Sequence, residues 1–142
     1  MSINKYSLNK ASILNSAVNV GGAGELFTTG VVWYVSSGSG SNGNFGDDPN
    51  FPLATLDQAV TNAVANRGDI IVLMPNHAEN VANATTFQID KVGLTVLGLG
   101  NGRNRPTFTF TATAGSVEID SADTRISNII FLSSISAVVV GM

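Results

Sequence analysis

The chain has 142 residues, of which 44% are apolar and only 12% are charged, and its net charge is −3. This length and a mean hydropathy of +0.24 predict one domain that can bury a core. The charge balance argues against a nucleic-acid binder. The lack of cysteine excludes disulfides, thiolate zinc sites and cysteine nucleophiles, and a single histidine argues against His-rich metal sites and a Ser-His-Asp triad.

The N-terminal region shows no targeting pattern and no periodicity. No apolar block follows its lysines, so we expect no secretory signal, and the longest apolar runs of the chain are too short to span a bilayer. Gly21–Gly24 interrupts any helix. We predict that residues 1–30 form an extended attachment arm that orders against a partner or a neighbouring subunit, with an unstructured terminus as the alternative.

The first regular element is a strand at Val31–Val35, a β-branched and aromatic run. Residues 36–46 are almost entirely Ser, Gly and Asn and predict a surface loop, which continues as a proline-containing turn over residues 47–52. A helix is expected next, with Thr55 as N-cap, an apolar stripe from Leu56 to Val64, Arg67 in its last turn and Gly68 at C′.

A second strand follows at Asp69–Met74. Its apolar run is continuous rather than alternating, which predicts a strand covered on both faces. Pro75 and Asn76 end it, and asparagine tolerates the left-handed backbone that a corner there requires.

The second half of the chain contains an internal repeat displaced by 30 positions. Three short apolar segments recur at this spacing, and the matched pairs are Phe87 with Val117, Ile89 with Ile119, Val96 with Ile126, Leu97 with Ser127, Gly98 with Asn128, Leu99 with Ile129, Phe108 with Val138 and Phe110 with Val140. A period of this length with three short strands and no helical pattern predicts one coil of a parallel β-solenoid, in which matched side chains stack. Coincidence between generic strands of a sandwich is the alternative.

Four segments, in this order, carry a family resemblance: Tyr34–Val35 before the polar loop, Phe51–Val60, Gly68–Val72 and Val92–Gly100. They resemble the beginning of a pectin-lyase-like right-handed parallel β-helix, a family in which an N-terminal helix caps the coil and the first strand follows a Gly-Asp pair. The family commonly has Pro-Gly where this chain has Pro75-Asn76. The resemblance implies a mainly β fold, a right-handed parallel β-helix (solenoid) with an N-terminal capping helix over residues 31–142 and an extended N-terminal arm over residues 1–30.

A narrower resemblance rests on His77–Glu79, Gly98–Pro106 and Ala122–Ile126. These segments are similar to those of tailed-phage virion proteins of this fold, which are head-decoration or fibre-like components. The resemblance implies a homotrimer bound to the major capsid protein or another virion protein, with neither nucleic acid nor membrane as partner. It places the protein in the virion, assembled in the host cytoplasm. The chain ends directly after a predicted strand, so partners would cover the last coil or a longer natural chain continues it.

Two groups of polar residues are candidates for chemistry in the first half. Asp47 and Asp48, in a loop with three asparagines at 42, 44 and 50, offer oxygen ligands for calcium, but the spacing lacks the ordered acids of a calcium loop and a solvated turn is the default. His77 and Glu79 are two positions apart and face the same side of a strand, which suits an acid–base pair, with a structural corner histidine as the alternative.

The second half offers carboxylates and two clustered arginines. Asp90, Asp120 and Asp123 resemble the paired acids of glycan-cleaving sites, and Arg103 with Arg105 forms the only cationic cluster. Asp90 and Asp120 are repeat equivalents, however, and stacked turns explain both.

Two further residue patterns have simpler explanations than binding. The helix end and the strand start account for the tripeptide Arg67-Gly68-Asp69, and Trp33 and Tyr34 are expected to pack against the cap rather than stack on sugars. We therefore assign no catalytic, cofactor-binding or metal-binding residue and expect no cofactor.

The function that the sequence favours is a non-enzymatic virion structural protein, a capsid decoration or stabilisation protein that attaches through its arm and oligomerises through its β-helix. The alternative is a tailspike or fibre β-helix that binds or cleaves host polysaccharide, and a passive glycan-binding module is a third reading.

Overall fold

The computed structural model describes residues 28–135, and this part of the chain is mainly β with little helix. In chain order the elements are β1 (Val32–Val35), α1 (Leu56–Asn62), β2 (Ile70–Leu73), β3 (Ala78–Val81), β4 (Phe87–Ile89), β5 (Thr95–Gly98), a 3-10 turn (Gly102–Asn104), β6 (Thr107–Phe110), β7 (Val117–Ile119), β8 (Arg125–Ser127) and β9 (Ile130–Ser133). The predicted arm lies outside the described residues apart from residues 28–30.

The nine strands of the described part form three sheets. The first has the order β1-β2-β5-β8, the second β3-β6-β9 and the third β4-β7. All neighbouring strands run parallel. From β2 onward, consecutive strands join the first, second and third sheet in turn. Each strand therefore pairs with the strand three places later in the chain, and the peptide groups are satisfied between successive rounds.

The 30-residue repeat is confirmed in two of the three sheets. The register pairs β4 with β7 and β5 with β8, and the matched residues are Phe87 with Val117, Ile89 with Ile119, Val96 with Ile126 and Leu97 with Ser127. The next match, Gly98 with Asn128, takes the form of a corner contact, because Asn128 Nδ2 donates to the Gly98 carbonyl at 2.8 Å. The sequence repeat therefore reports real stacking in these segments.

In the second sheet the predicted spacing is wrong. Phe108 pairs with Phe131, and Phe110 with Ser133, an offset of 23 positions rather than 30. The reason is the corner between the first and second sheets. It spans residues 99–106 after β5 but only residues 128–129 after β8, so β9 begins earlier in its round. Residues 138 and 140, the expected partners, lie outside the described part of the chain.

The helix begins as predicted and ends earlier. Thr55 is the N-cap, and its Oγ1 accepts a hydrogen bond from the Gln58 amide at 3.3 Å. The helix then buries Leu56, Ala59 and Val60 against the open end of the core, where it contacts β1, β2 and β4. Its last residue is Asn62.

A carboxylate accounts for the early end of α1. Ala63 already has an extended ψ of 150°, and the Val64 amide donates to Asp69 Oδ2 at 3.0 Å, in place of the bond that would continue the helix. Val64 is consequently 49% exposed instead of extending the apolar stripe. Arg67 and Gly68 lie in the turn beyond the helix and not in its last turn and at C′.

Aromatic rings fill the centre of the core. Phe87 and Phe108 are fully buried and meet edge to face with 4.7 Å between ring centroids. Phe131 continues the stack at 5.3 Å from Phe87. β2 is buried at all four positions, as the continuous apolar run predicts. The core therefore lies between the three sheets, with α1 over one end.

Candidate functional site

His77 and Glu79 are brought together at the corner between the first and second sheets. His77 is 1% exposed, and its Nε2 lies 2.7 Å from Glu79 Oε1. Its Nδ1 accepts a hydrogen bond from the Ser37 amide at 3.0 Å. Because that amide can only donate, the imidazole proton is assigned to Nε2 and is donated to the carboxylate.

The same carboxylate holds the start of the helix. Glu79 Oε1 also accepts the Leu56 amide at 2.7 Å, one of the amides that the first turn of α1 leaves without a helical partner. Ser37 closes the arrangement by donating with its amide to His77 and accepting with its hydroxyl from the Ala78 amide at 2.9 Å. Both imidazole nitrogens are thus engaged by the protein, which is the arrangement of a structural corner histidine. The group ties the loop after β1, β3 and α1 to one another.

Asp69 forms a second buried polar centre, which the sequence analysis did not identify. Its side chain is fully buried and accepts five hydrogen bonds. Oδ1 accepts from the Val31 amide at 2.9 Å and Arg67 Nε at 2.6 Å, and Oδ2 accepts from Arg67 Nη2 at 2.6 Å, the Val64 amide at 3.0 Å and Trp33 Nε1 at 3.1 Å. One carboxylate therefore joins β1, the end of α1 and the start of β2.

These contacts set the charge state of Asp69. Burial by itself raises the pKa of the carboxyl, but hydrogen bonds from the Arg67 guanidinium, the Val64 amide, the Trp33 indole and the Val31 amide outweigh it and hold the pKa well below its usual range. The same pair raises the pKa of Arg67, chiefly through its hydrogen bond to the carboxylate. Because Asp69 is buried, the Arg-Gly-Asp tripeptide is not presented as a linear motif. The available sequence signal was an acid directly before an apolar strand and two positions after an arginine.

The loop after β1 is held in place along its length. The Gly46 carbonyl accepts the Tyr34 amide at 2.7 Å, and Asn44 Nδ2 donates to the Pro52 carbonyl at 2.7 Å. Gly46 has φ 83°, and a Cβ there would lie 2.6 Å from Leu53 Cγ, so the loop needs glycine at this position. The expected surface loop is therefore ordered and packs on Leu53.

The polar side chains of this loop serve its own backbone. Asn42 Oδ1 accepts the amides of Ala54 and Thr55, at 2.9 and 3.2 Å. Asp48 Oδ1 accepts both the amide and the side-chain amide of Asn50, at 2.8 and 2.9 Å. Within residues 28–135, no group of three or more His, Asp or Glu side chains is placed to hold a metal ion. The calcium hypothesis thus gains no geometric support.

A cleft of about 470 Å³ opens on the outer side of the loop. Its lining consists of Gly43, Asn44, Phe45, Asp47, Asp48 and Phe51. Phe45 is 86% exposed and Phe51 62% exposed. Both lie in the region predicted as a polar loop and turn, and neither was a sequence-based candidate, although two phenylalanines among Ser, Gly, Asn and Asp were a visible signal.

The remaining candidates are dispersed over corners. Asp120 Oδ2 accepts Gln88 Nε2 at 3.0 Å, and Asp90 lies 3.6 Å from Lys91 Nζ. Asp123 occupies a left-handed corner with φ 55°. The Arg105 guanidinium donates through Nε to the Gly102 carbonyl at 3.1 Å, across the 3-10 turn that contains the other arginine of the pair. These contacts are those expected of turn residues.

Comparison with known proteins identifies no relative. No protein-family model matches the chain, and neither a curated protein nor a solved structure matches it. Over the described residues, no helix has the length and apolar character needed to cross a membrane.

Proposed function

We propose that this chain is a non-enzymatic structural component of a tailed-phage virion, a capsid decoration or stabilisation protein built on a right-handed parallel β-helix. The rotation of strands through three parallel sheets supports the β-helix. Right-handed winding follows from the strong preference of parallel crossover connections for that hand. The 30-residue register of β4 with β7 and of β5 with β8 is what successive coils of such a helix produce.

The observation that carries an assembly role is the apolar end of the body. Within the described part of the chain, β7, β8 and β9 each have a strand neighbour on one side only. Val117, Ile119 and Phe131 at this end are between 38% and 49% exposed. Unpaired strand edges beside apolar side chains are a template for association. We therefore propose that a closed cyclic assembly, a homotrimer, covers this surface.

The two buried polar centres, at His77–Glu79 and at Asp69, also support a structural role. The histidine–glutamate pair holds the start of α1, and the buried Asp69 holds its end and joins β1 to β2. Buried and fully hydrogen-bonded groups of this kind rigidify a body rather than meet a substrate. Attachment to the major capsid protein or another virion protein is assigned to the N-terminal arm.

The oligomer is tested by sedimentation velocity and native mass spectrometry of the full chain, wild type against Ile119→Asp. Ile119 pairs with the buried Ile89, so its side chain points toward the core at the end opposite α1. We expect a trimer for the wild type and monomers for the variant. Leu132→Asp is the matched control, since strand alternation places it on the face opposite Phe131. A monomeric wild type contradicts the trimer, and circular dichroism of each variant establishes that the fold is retained.

The virion role is tested on purified particles. Mass spectrometry and electron microscopy of the native particle are expected to find this chain as ordered density on the capsid. A chain that lacks residues 1–27 keeps Thr28, whose hydroxyl donates to the Gly68 carbonyl, and is expected to fold but not to bind the particle. Absence from the particle, or undiminished binding after the deletion, contradicts the proposal.

The carbohydrate alternative has one observation in its favour, the aromatic and acidic cleft at the loop after β1. A tailspike or fibre of this fold would bind host polysaccharide or release oligosaccharides from it. Chromatography of polysaccharide incubated with the full chain tests for cleavage.

A further inference from the structure

Phe45 and Phe51 are the two most exposed phenylalanines of residues 28–135. They are 86% and 62% exposed, whereas Phe87 and Phe108 are fully buried. Both exposed rings line the same cleft of about 470 Å³. Exposed apolar side chains grouped around one concavity mark a site that binds a ligand or a partner.

The rings are presented by a rigid loop. Gly46, directly after Phe45, is fixed by the bond from the Tyr34 amide and packs on Leu53. Phe51 donates its own amide to the Asp48 carbonyl at 3.0 Å, and the residue after it accepts from Asn44. Because the loop is already ordered, a ligand that enters the cleft loses little binding free energy to ordering it.

The cleft is also acidic. Asp47 is exposed, and within residues 28–135 its carboxylate has no hydrogen-bond or ion-pair partner. Asp48 has one oxygen occupied by Asn50. No lysine or arginine occurs between Lys10 and Arg67 in the sequence, so the loop carries no positive charge of its own. Two carboxylates and the negative faces of two phenyl rings all favour a cation.

We propose that this cleft binds an arginine side chain of an apolar segment in a partner protein. The planar guanidinium stacks on a phenyl ring and pairs with the carboxylates, while apolar neighbours of the arginine contact the second ring. The identification of the occupant as a protein segment rests on the proposed assembly role. The chemistry of the cleft is tested separately with small peptides. A titration in which the peptide does not bind would therefore contradict the arginine site alone, and the experiment on purified particles would still test the virion role.

The test is an NMR titration of the ¹⁵N-labelled full chain with the peptide acetyl-Leu-Arg-Leu-amide. The matched probe is acetyl-Leu-citrulline-Leu-amide, which has the same shape and no charge. We expect saturable shifts confined to amides of residues 43–51, with about tenfold weaker binding of the citrulline peptide, since the ion pairs and the cation–π contact are lost. Equal binding of the two peptides, or no shifts at residues 43–51, would overturn the proposal.

Variants separate the two parts of the cleft. The double variant Phe45→Ala, Phe51→Ala is expected to abolish the shifts, and Asp47→Asn, Asp48→Asn to weaken binding of the arginine peptide about tenfold. The control Asp90→Asn, Asp123→Asn removes the same charge from exposed corners and is expected to leave the affinity unchanged.

Other occupants have their own signatures. Maltotriose that shifts the same amides when the arginine peptide does not would make this a carbohydrate cleft and would overturn the proposal. So would loss of self-association in the double phenylalanine variant, because the occupant would then be a second copy of this chain.

Discussion

Asp69→Asn removes the charge of the carboxylate while keeping its shape. The side chain is fully buried and receives hydrogen bonds from the amides of Val31 and Val64, the indole of Trp33 and the guanidinium of Arg67. Asparagine has a single acceptor oxygen and a nitrogen that only donates. At least one of these donors therefore loses its partner and faces another donor.

These contacts give the expected loss of unfolding free energy in Asp69→Asn. If the amide oxygen takes the place of Oδ2, it keeps Trp33 and Val64, and the Val31 amide is left unpaired at a cost of about 1–3 kcal/mol. The two retained bonds change from charged to neutral, a loss of about 1 kcal/mol each. Arg67 has a side chain 36% exposed and turns to water, so we add nothing for it. The expected destabilisation is about 3–5 kcal/mol, against a total stability of roughly 5–15 kcal/mol.

The effect depends on pH in a known direction. Because the pKa of Asp69 is lowered on folding, its contribution to stability is present above the ordinary carboxyl pKa and is lost as the pH falls toward the folded value. The difference in unfolding free energy between wild type and variant should be constant above about pH 5 and should shrink below about pH 4.

Urea denaturation at pH 7 and pH 3 measures both effects. Trp33 is the only tryptophan and donates to Asp69, so its fluorescence reports unfolding at this site, with circular dichroism as a second probe. Asp90→Asn on the surface is the control and should change stability by less than about 0.5 kcal/mol. A loss below about 1 kcal/mol for Asp69→Asn, or a difference that does not vary between the two pH values, would show that the charged Asp69 does not stabilise the fold through these hydrogen bonds.

Three further substitutions test the packing and the corner contacts by denaturation of the full chain. Glu79→Ala leaves the Leu56 amide and the Nε2–H of the buried His77 unpaired and should cost about 2–4 kcal/mol. Glu79→Gln keeps an acceptor and should cost less than half as much, and equal losses contradict this account. Gly98→Ala puts a Cβ 2.3 Å from a backbone carbonyl of the next round and should cost about 1–3 kcal/mol. The control Gly38→Ala, whose Cβ would have nothing within 4 Å, should leave stability unchanged. Unchanged stability in both variants would show that the backbone at the Gly98 corner can move to make room for the methyl group. Phe108→Ala removes a fully buried ring and should cost about 3–5 kcal/mol, and a loss below about 1 kcal/mol would mean that the core refills the space.

Much of the fold was predictable because its signals are local. Thr55 caps α1, and Asn76 adopts the left-handed backbone, with φ 64°, that the corner prediction assigned to it. The apolar run of β2 is buried along its length. Each of these depends on a residue and its near neighbours, whose conformational preferences the sequence states directly.

The candidate sites were less predictable. The proximity of His77 and Glu79 followed from strand alternation, but their bonds to Ser37 and Leu56 join positions about 20 to 40 residues apart and depend on where the loop and α1 settle. The exposure of Phe45 likewise depends on how the loop is held against β1, where the Gly46 carbonyl accepts the Tyr34 amide. The local sequence does not say whether the Phe45 side chain faces the core or the solvent.

Three features could be read from the amino-acid sequence without the tertiary structure: the composition, the start of α1 and the thirty-residue spacing in two sheets. They rest on short-range conformational preferences and on the regular recurrence of residue types. Tertiary structure set the partner of Phe108, the end of α1 and the burial of Asp69. The partner of Phe108 depends on corner length, because a corner that loses residues shifts a strand along its neighbour without altering any local preference. The end of α1 and the burial of Asp69 depend on the hydrogen bonds that this carboxylate accepts from β1 and from the residues after α1. Strands of successive rounds are far apart in the sequence, so their pairing depends on how the three sheets pack around one core.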